Sequence, residues 1–295
     1  MYRDPRFTRF EVRPITGALG AEVVGVDLAR DRGAETVAEL KRALDQHHVL
    51  AIRDQALSPE LLHAVREAFG PFSGNPVHTP MPGLEDVVRF VREPDDKGKV
   101  IGEEWHMDLA WMERPPGITM LWGEVIPPVG GDTCFANLAL AYRSLSPGMK
   151  SFLEGLTGIH SGKGVFAINA KHQGLTQAGA DAVDGIETEH PVVCRHPATG
   201  EPYMLVNSVL SRFKGMTEAE SRPIIDYLMA LAIRPEFTCR VRWAERTLTM
   251  WANPFVLHTA IGDYPSYRRV TYRTTVEGPV PIPARGDQVP LGRAA

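Results

Sequence analysis

Short apolar runs, broken up by Gly and Pro, recur along most of this chain and read as strands. They fall at 21–26, 49–53, 87–91, 117–125, 192–195, 203–206, 238–243, 248–251 and 269–276. A helical period shows in only three places. Residues 35–47 set Val37, Leu40, Ala43 and Leu44 on one stripe, and 58–69 opens on Ser58-Pro59, a helix-start signal. Residues 217–233 open on Thr217 with Glu220 three positions on, the spacing of a capping box. Many short strands with a few helices outside them predict a mainly β fold with flanking helices, such as a jelly roll built as a double-stranded β-helix. No internal repeat or Ser/Gly-rich linker interrupts 1–295, so one domain is expected. Residues 167–189 are poor in strand signal and rich in Gly, Ala, Asp and Gln; they read as a lid loop or a partly disordered one.

Composition narrows the class without choosing a function. At 295 residues, with 43% hydrophobic and 23% charged, the chain can bury a substantial core. A net charge of −4 gives no reason to expect nucleic acid or an anionic membrane as partner. No apolar run approaches the ~20 residues of a membrane span, and residues 1–13 lack the apolar centre of a signal peptide. Cys134, Cys194 and Cys239 are odd in number and widely spaced, the pattern of reduced thiols in a cytoplasmic protein.

The candidate chemistry begins at His106-Met107-Asp108. Residues i and i+2 of a strand share a face, so on a strand His106 and Asp108 can reach one ion while Met107 turns away. Alone, His-x-Asp is a weak pattern whose bland reading is a polar surface strand. It gains weight because it is the one such pair among ten histidines and because His258 and Arg269 follow downstream. Two imidazoles and a carboxylate can hold one face of an octahedral iron and leave three positions open. On the strand at 269–276, Arg269, Thr271 and Arg273 share a face, and two inward arginines are costly unless each meets an anion. The bland alternative for Arg273 is pairing with a surface carboxylate. Gly162-Lys163-Gly164 lacks the earlier Gly and the Ser or Thr of a phosphate loop, so Lys163 reads as solvated or at a pocket mouth.

Several motifs together resemble the taurine dioxygenase and aryloxyalkanoate dioxygenase family. They are Thr16-Gly17-Ala18-Leu19-Gly20-Ala21, the His106/Asp108 pair with Pro115-Pro116-Gly117 after it, Gly131-Asp132-Thr133, and the run from Trp251 through His258 to Arg269 and Arg273. The resemblance covers nearly the whole chain. It implies Fe(II) held by His106, Asp108 and His258, with 2-oxoglutarate and O2 as cosubstrates. It also implies Arg269 and the Thr133 hydroxyl on the distal carboxylate of 2-oxoglutarate, Arg273 near a substrate anion, and a homo-oligomer. Related halogenases leave the carboxylate position to a small residue, so Asp108 favours hydroxylation.

The expected substrate is a small organic acid. Segments 100–106, 237–243 and 273–276 look closer to phenoxypropionate-type enzymes than to taurine enzymes. Asn75 and His78 stand where taurine enzymes carry His and Tyr; Gly102 replaces an Asn, Val165 a Ser and Leu210 a Phe. With Phe166, these make a more apolar pocket, and sites that select a small polar substrate need paired polar groups. An aryloxyalkanoate-like carboxylate is therefore expected, with a sulfonate or sulfate ester as the alternative. Two other classes stay open: a metal-dependent hydrolase on a His₂-carboxylate site, and a non-catalytic binding jelly roll. The pairing of Arg269 with Thr133 argues against both.

Overall fold

The computed structural model describes residues 6–163, 181 and 183–285. Its frame is a seven-stranded sheet ordered β1 (Glu11–Pro14), β2 (Ala21–Val24), β3 (Val49–Ile52), β13 (Leu248–Ala252), β5 (Pro116–Val125), β15 (Arg269–Glu277) and β4 (Val88–Arg92). Only β2 and β3 run parallel within it. A three-stranded sheet, β12 (Thr238–Val241), β6 (Thr133–Asn137) and β14 (Val256–Ala260), faces its centre. Two smaller sheets complete the strand set among the described residues: β11 (Leu210–Phe213), β7 (Thr157–Ser161) and β8 (Glu187–Pro191), and the pair β10 (Pro202–Met204) with β9 (Val193–Arg195). Among the described residues no helix is long and apolar enough to cross a membrane.

Strand periodicity explains the layering. β3 is Val-Leu-Ala-Ile, buried at every position, because both faces of the large sheet are covered. Leu50 and Ile52 join Met120, Trp122 and Met250 in the main core, whereas Val49 and Ala51 join Phe135, Trp251 and Val256 between the two sheets. Two helices cover the outer face. α1 (Ala34–His47) supplies Leu40 and Leu44, and α2 (Pro59–Phe69) supplies Leu62, Val65 and Phe69. On β15, Val270, Tyr272 and Val276 point into that main core, so Arg269, Thr271 and Arg273 point to the opposite face. This parity is what brings both arginines into the site.

All three expected helices are present, with ends set by the expected chemistry. Ser58 caps α2, and Thr217 and Glu220 close a capping box on the long helix Glu218–Ala232. The helices α3 (Leu138–Ser144) and α4 (Pro147–Glu154) also lie before it among the described residues, and the long helix is labelled α5. Cys194 and Cys239 are buried free thiols and Cys134 is half-buried. The expected lid at 167–189 is corrected at its end: residues 187–189 belong to β8, paired with β7. Residues 167–180 and 182 lie outside the described residues.

Candidate active site

His106, Asp108 and His258 converge as expected, but by a different backbone route. His106 makes a single bridge to His258, its N–H donating to the His258 carbonyl at 3.0 Å and its carbonyl accepting from the His258 N–H at 2.9 Å. The chain then leaves the extended conformation, and Leu109 lies at φ 49°. Asp108 therefore sits in a turn, not on a strand. The Asn253 amide holds that turn, accepting from the Asp108 N–H and donating to the Asp108 carbonyl, each at 3.0 Å. One ligand atom from each of the three side chains lies within 4.8 Å of the others. Asp108 Oδ1 stands 3.8 Å from Nε2 of both His106 and His258.

The donor set suits a divalent iron. His106 Nδ1 lies 2.6 Å from the Glu104 carbonyl, which accepts only a proton, so Nε2 keeps its lone pair for a cation. Burial, with His106 beside it, depresses His258 to about 3, so its ring is neutral and able to ligate. Burial pushes the Asp108 carboxyl up, but the Arg273 cation and a bond from Thr119 outweigh it and hold the group ionised. Arg273 Nη2 is 3.0 Å from Asp108 Oδ1. The acid partner of Arg273 is thus the central carboxylate of the site, not the surface group of the bland reading.

Beside the triad lies a cavity of about 110 Å³, lined by Thr133, Leu121, Arg269, Thr271 and Arg273 among others. Arg269 is enclosed between aromatic rings, its guanidinium carbon 5.4 Å from the Trp243 ring centroid and 5.9 Å from that of Tyr264. Burial lowers its pKa, opposed by the Tyr264 hydroxyl, and its Nε has no hydrogen-bond partner. A guanidinium stays charged in such a place, so this is a desolvated cation with donors to spare. Thr133 Oγ1 accepts from the Trp243 indole at 3.0 Å, which leaves its own hydroxyl proton free to point elsewhere. Cation and hydroxyl thus face one small cavity next to the metal group.

A second cavity of about 440 Å³ opens on the other side of His106 and Asp108. Of the expected substrate residues, His78, Gly102, Leu210 and Arg273 line it. Trp111 lines it too, as does Lys163. Asn75 stands one step back: its Oδ1 accepts from the Val77 and His78 N–H groups, the pattern of a turn residue. Gly102 has a role the pattern did not suggest. It sits at φ +84° and its position for a Cβ is 3.2 Å from His106 Cε1, so the missing side chain makes room for the ligand ring. Val165 and Phe166 lie outside the described residues. Sequence reasoning missed Thr119 and Tyr264. Thr119 lay inside an expected strand, where β-branched residues are ordinary, and Tyr264 in a loop without periodicity.

The sequence profile described as "Taurine catabolism dioxygenase TauD, TfdA family" matches residues 11–275. The chain is 32% identical to an alkylsulfatase of Acinetobacter baylyi, over 94% of this chain and 88% of that protein. It is also 32% identical to an alpha-ketoglutarate-dependent sulfate ester dioxygenase of Pseudomonas putida, over 96% of this chain and 94% of that protein. The crystal structure of a taurine dioxygenase from Burkholderia xenovorans superposes with a TM-score of 0.79 at 33% identity, covering 94% of this chain and 93% of the other.

Proposed function

This chain belongs to the taurine catabolism dioxygenase TauD, TfdA family and is an Fe(II)- and 2-oxoglutarate-dependent dioxygenase, and on that footing we propose that it oxidises small organic sulfate esters. His106, Asp108 and His258 hold the iron, and Arg269 with Thr133 holds the far carboxylate of 2-oxoglutarate. The observation that carries this reading is the meeting of a His₂-carboxylate group with a buried guanidinium whose Nε has no hydrogen-bond partner, in one cavity. A hydrolase or a simple binding module has no use for that second feature.

With iron, 2-oxoglutarate and O2 bound, the site supplies oxidative decarboxylation to succinate and CO2 together with hydroxylation of a substrate C–H. The protein's part is placement and exclusion of water. Arg269 presents a planar fork to a carboxylate, and Trp243 and Tyr264 keep solvent from that contact. On the other side, Arg273 lies at the junction of the two cavities and offers a cation to the substrate head group. Leu109, Trp111, Val209 and Leu210 give the larger cavity an apolar wall for the substrate body. Hydroxylation of the carbon bearing the ester oxygen yields a product that collapses to an aldehyde and sulfate.

The sulfate ester head is favoured by the 32% identity to two proteins named for that chemistry. The local likeness of segments 100–106 and 237–243 to aryloxyalkanoate enzymes, together with the apolar wall, keeps an aryloxyalkanoate carboxylate as the second reading. Succinate release should be measured with hexyl sulfate, a 2-aryloxypropionate and taurine in one assay. Preferred turnover of hexyl sulfate, with aldehyde and sulfate as products, is the expected result. Preferred turnover of the aryloxypropionate transfers the assignment to the carboxylate. No Fe(II)- and 2-oxoglutarate-dependent absorption band in the anaerobic protein would count against the proposed ligand and clamp residues.

A further inference from the structure

We propose that Thr119 is a positioning residue for the metal centre: its hydroxyl selects which oxygen of Asp108 faces the ion. The inference rests on the reading of His106, Asp108 and His258 as metal ligands.

A carboxylate offers two equivalent oxygens, and rotation about its terminal bond exchanges them at small cost. On a strand, neighbouring residues and register restrict how a side chain is aimed. Asp108 sits in a turn and has no such register, so its aim must come from elsewhere. Thr119 supplies it, donating from Oγ1 to Asp108 Oδ2 at 2.8 Å. The other oxygen, Oδ1, is the one turned toward Nε2 of both histidines. The Arg273 guanidinium also meets Oδ1, at 3.0 Å, so each oxygen has its own partners and the Thr119 hydroxyl is the one that holds Oδ2.

Thr119 is well placed to be rigid. It lies on β5 between Trp251 of β13 and Thr275 of β15, and it is fully buried. A β-branched side chain on a central strand has few rotamers, so its hydroxyl direction is fixed by the sheet. Asn253 fixes the backbone of Asp108. It is fully buried, makes the two bonds to the Asp108 backbone, and also donates to the Pro116 carbonyl at 3.1 Å. It sits five positions before His258, at the turn between β13 and β14, so the Asp108 backbone is tied to the strand carrying another ligand. The backbone is set by Asn253 and the side-chain rotation by Thr119. Groups that orient a metal ligand in this way change metal affinity by about 10–100-fold when removed.

A bland role, in which Thr119 merely satisfies its own buried hydroxyl, predicts a loss of stability alone. The test is therefore Co(II) binding by the whole chain, followed by titration and by the visible ligand-field bands. Thr119→Val keeps shape and removes the donor, and is expected to bind Co(II) about 10–100-fold more weakly with altered bands. Thr119→Ser restores the hydroxyl and is expected to return both toward wild type. If Thr119→Val is not obtained folded, Thr119→Cys, a weaker donor of similar size, takes its place with the same expected direction. Wild-type Co(II) affinity and unchanged bands in the folded variant overturn the proposal. His258→Ala separates this from the underlying reading: it should lose Co(II) binding, and wild-type binding there would overturn the metal centre itself.

Discussion

Arg269 carries the plainest single-residue consequence. A buried guanidinium between two aromatic rings has favourable ring contacts but no anion of its own, and the desolvation of such a cation is costly. A dicarboxylate that fills the small cavity recovers charge-assisted bonds worth about 1.5–3 kcal/mol each. Arg269→Ala should therefore weaken 2-oxoglutarate binding by about 100-fold, and Arg269→Lys by about tenfold because it keeps charge but loses the fork. Calorimetric titration of the Mn(II)-loaded protein measures both. Wild-type affinity in Arg269→Ala would remove the clamp from the mechanism. Gly102 is a second such position. Adding a Cβ there places it against the His106 ring and forces a side chain into a left-handed backbone conformation that costs about 1–2 kcal/mol. Gly102→Ala is expected to bind metal more weakly than wild type, with a smaller change in thermal stability than in metal affinity.

At the scale of elements, legibility followed the strength of local chemistry. α5 announced itself through Thr217 and Glu220, and both capping bonds are present. α4 carries the same Ser-Pro start as α2, with Ser146 capping the Met149 N–H, so its signal was available and unused. α3 was harder, because its seven residues follow β6 without a polar break and its cap, Asn137, is itself the last residue of that strand. β6 and β14 are buried on both faces, so neither shows the alternation that marks a half-exposed strand. The convergence of His106, Asp108 and His258 was expected from residue types and order taken together with the family resemblance. Its geometry was not, because the turn at Asp108 depends on Asn253, 145 positions away. Tertiary braces of this kind also give testable stability. Asp86, buried, accepts from Arg66 of α2 at 2.8 Å, lies 2.7 Å from His63 Nδ1, and accepts a longer bond from Thr274 of β15. Asp86→Asn leaves Arg66 without its anion and should lower stability by about 3 kcal/mol in urea unfolding. Little or no change in the urea midpoint would show that helix and sheet are held by packing alone.

For the molecule as a whole, the consequence is an acid limit to stability set by histidines away from the site. His48 ends α1 in the left-handed conformation, φ 59°, and packs at 5.6 Å from the Phe255 ring. Burial, with His196 and His47 nearby, depresses it to about 4. His160, fully buried on β7 at 5.1 Å from the His190 ring, is depressed by burial to about 3. Each is neutral in the folded chain, whereas the unfolded chain takes up the proton near pH 6.5. The unfolded state thus binds more protons throughout the interval, so stability rises with pH there and is complete above 6.5. Going down, each histidine removes about 1.4 kcal/mol per pH unit, until the pH falls below about 4 for His48 and about 3 for His160. Asp86 acts in the same direction lower down. Burial raises its pKa, but bonds from His63 and Arg66 hold it below the ordinary carboxylate value, so that contribution is lost only as the group protonates. Against a total of about 5–15 kcal/mol, the two histidines remove a large share of the stability before ordinary carboxylates protonate. Unfolding monitored by circular dichroism across pH 7 to 3 should show this loss beginning near 6. His48→Asn keeps a residue that tolerates the left-handed turn, and His160→Leu keeps an apolar volume. The double variant is expected to shift the acid midpoint downward, and an unmoved midpoint would return the acid limit to the carboxylates.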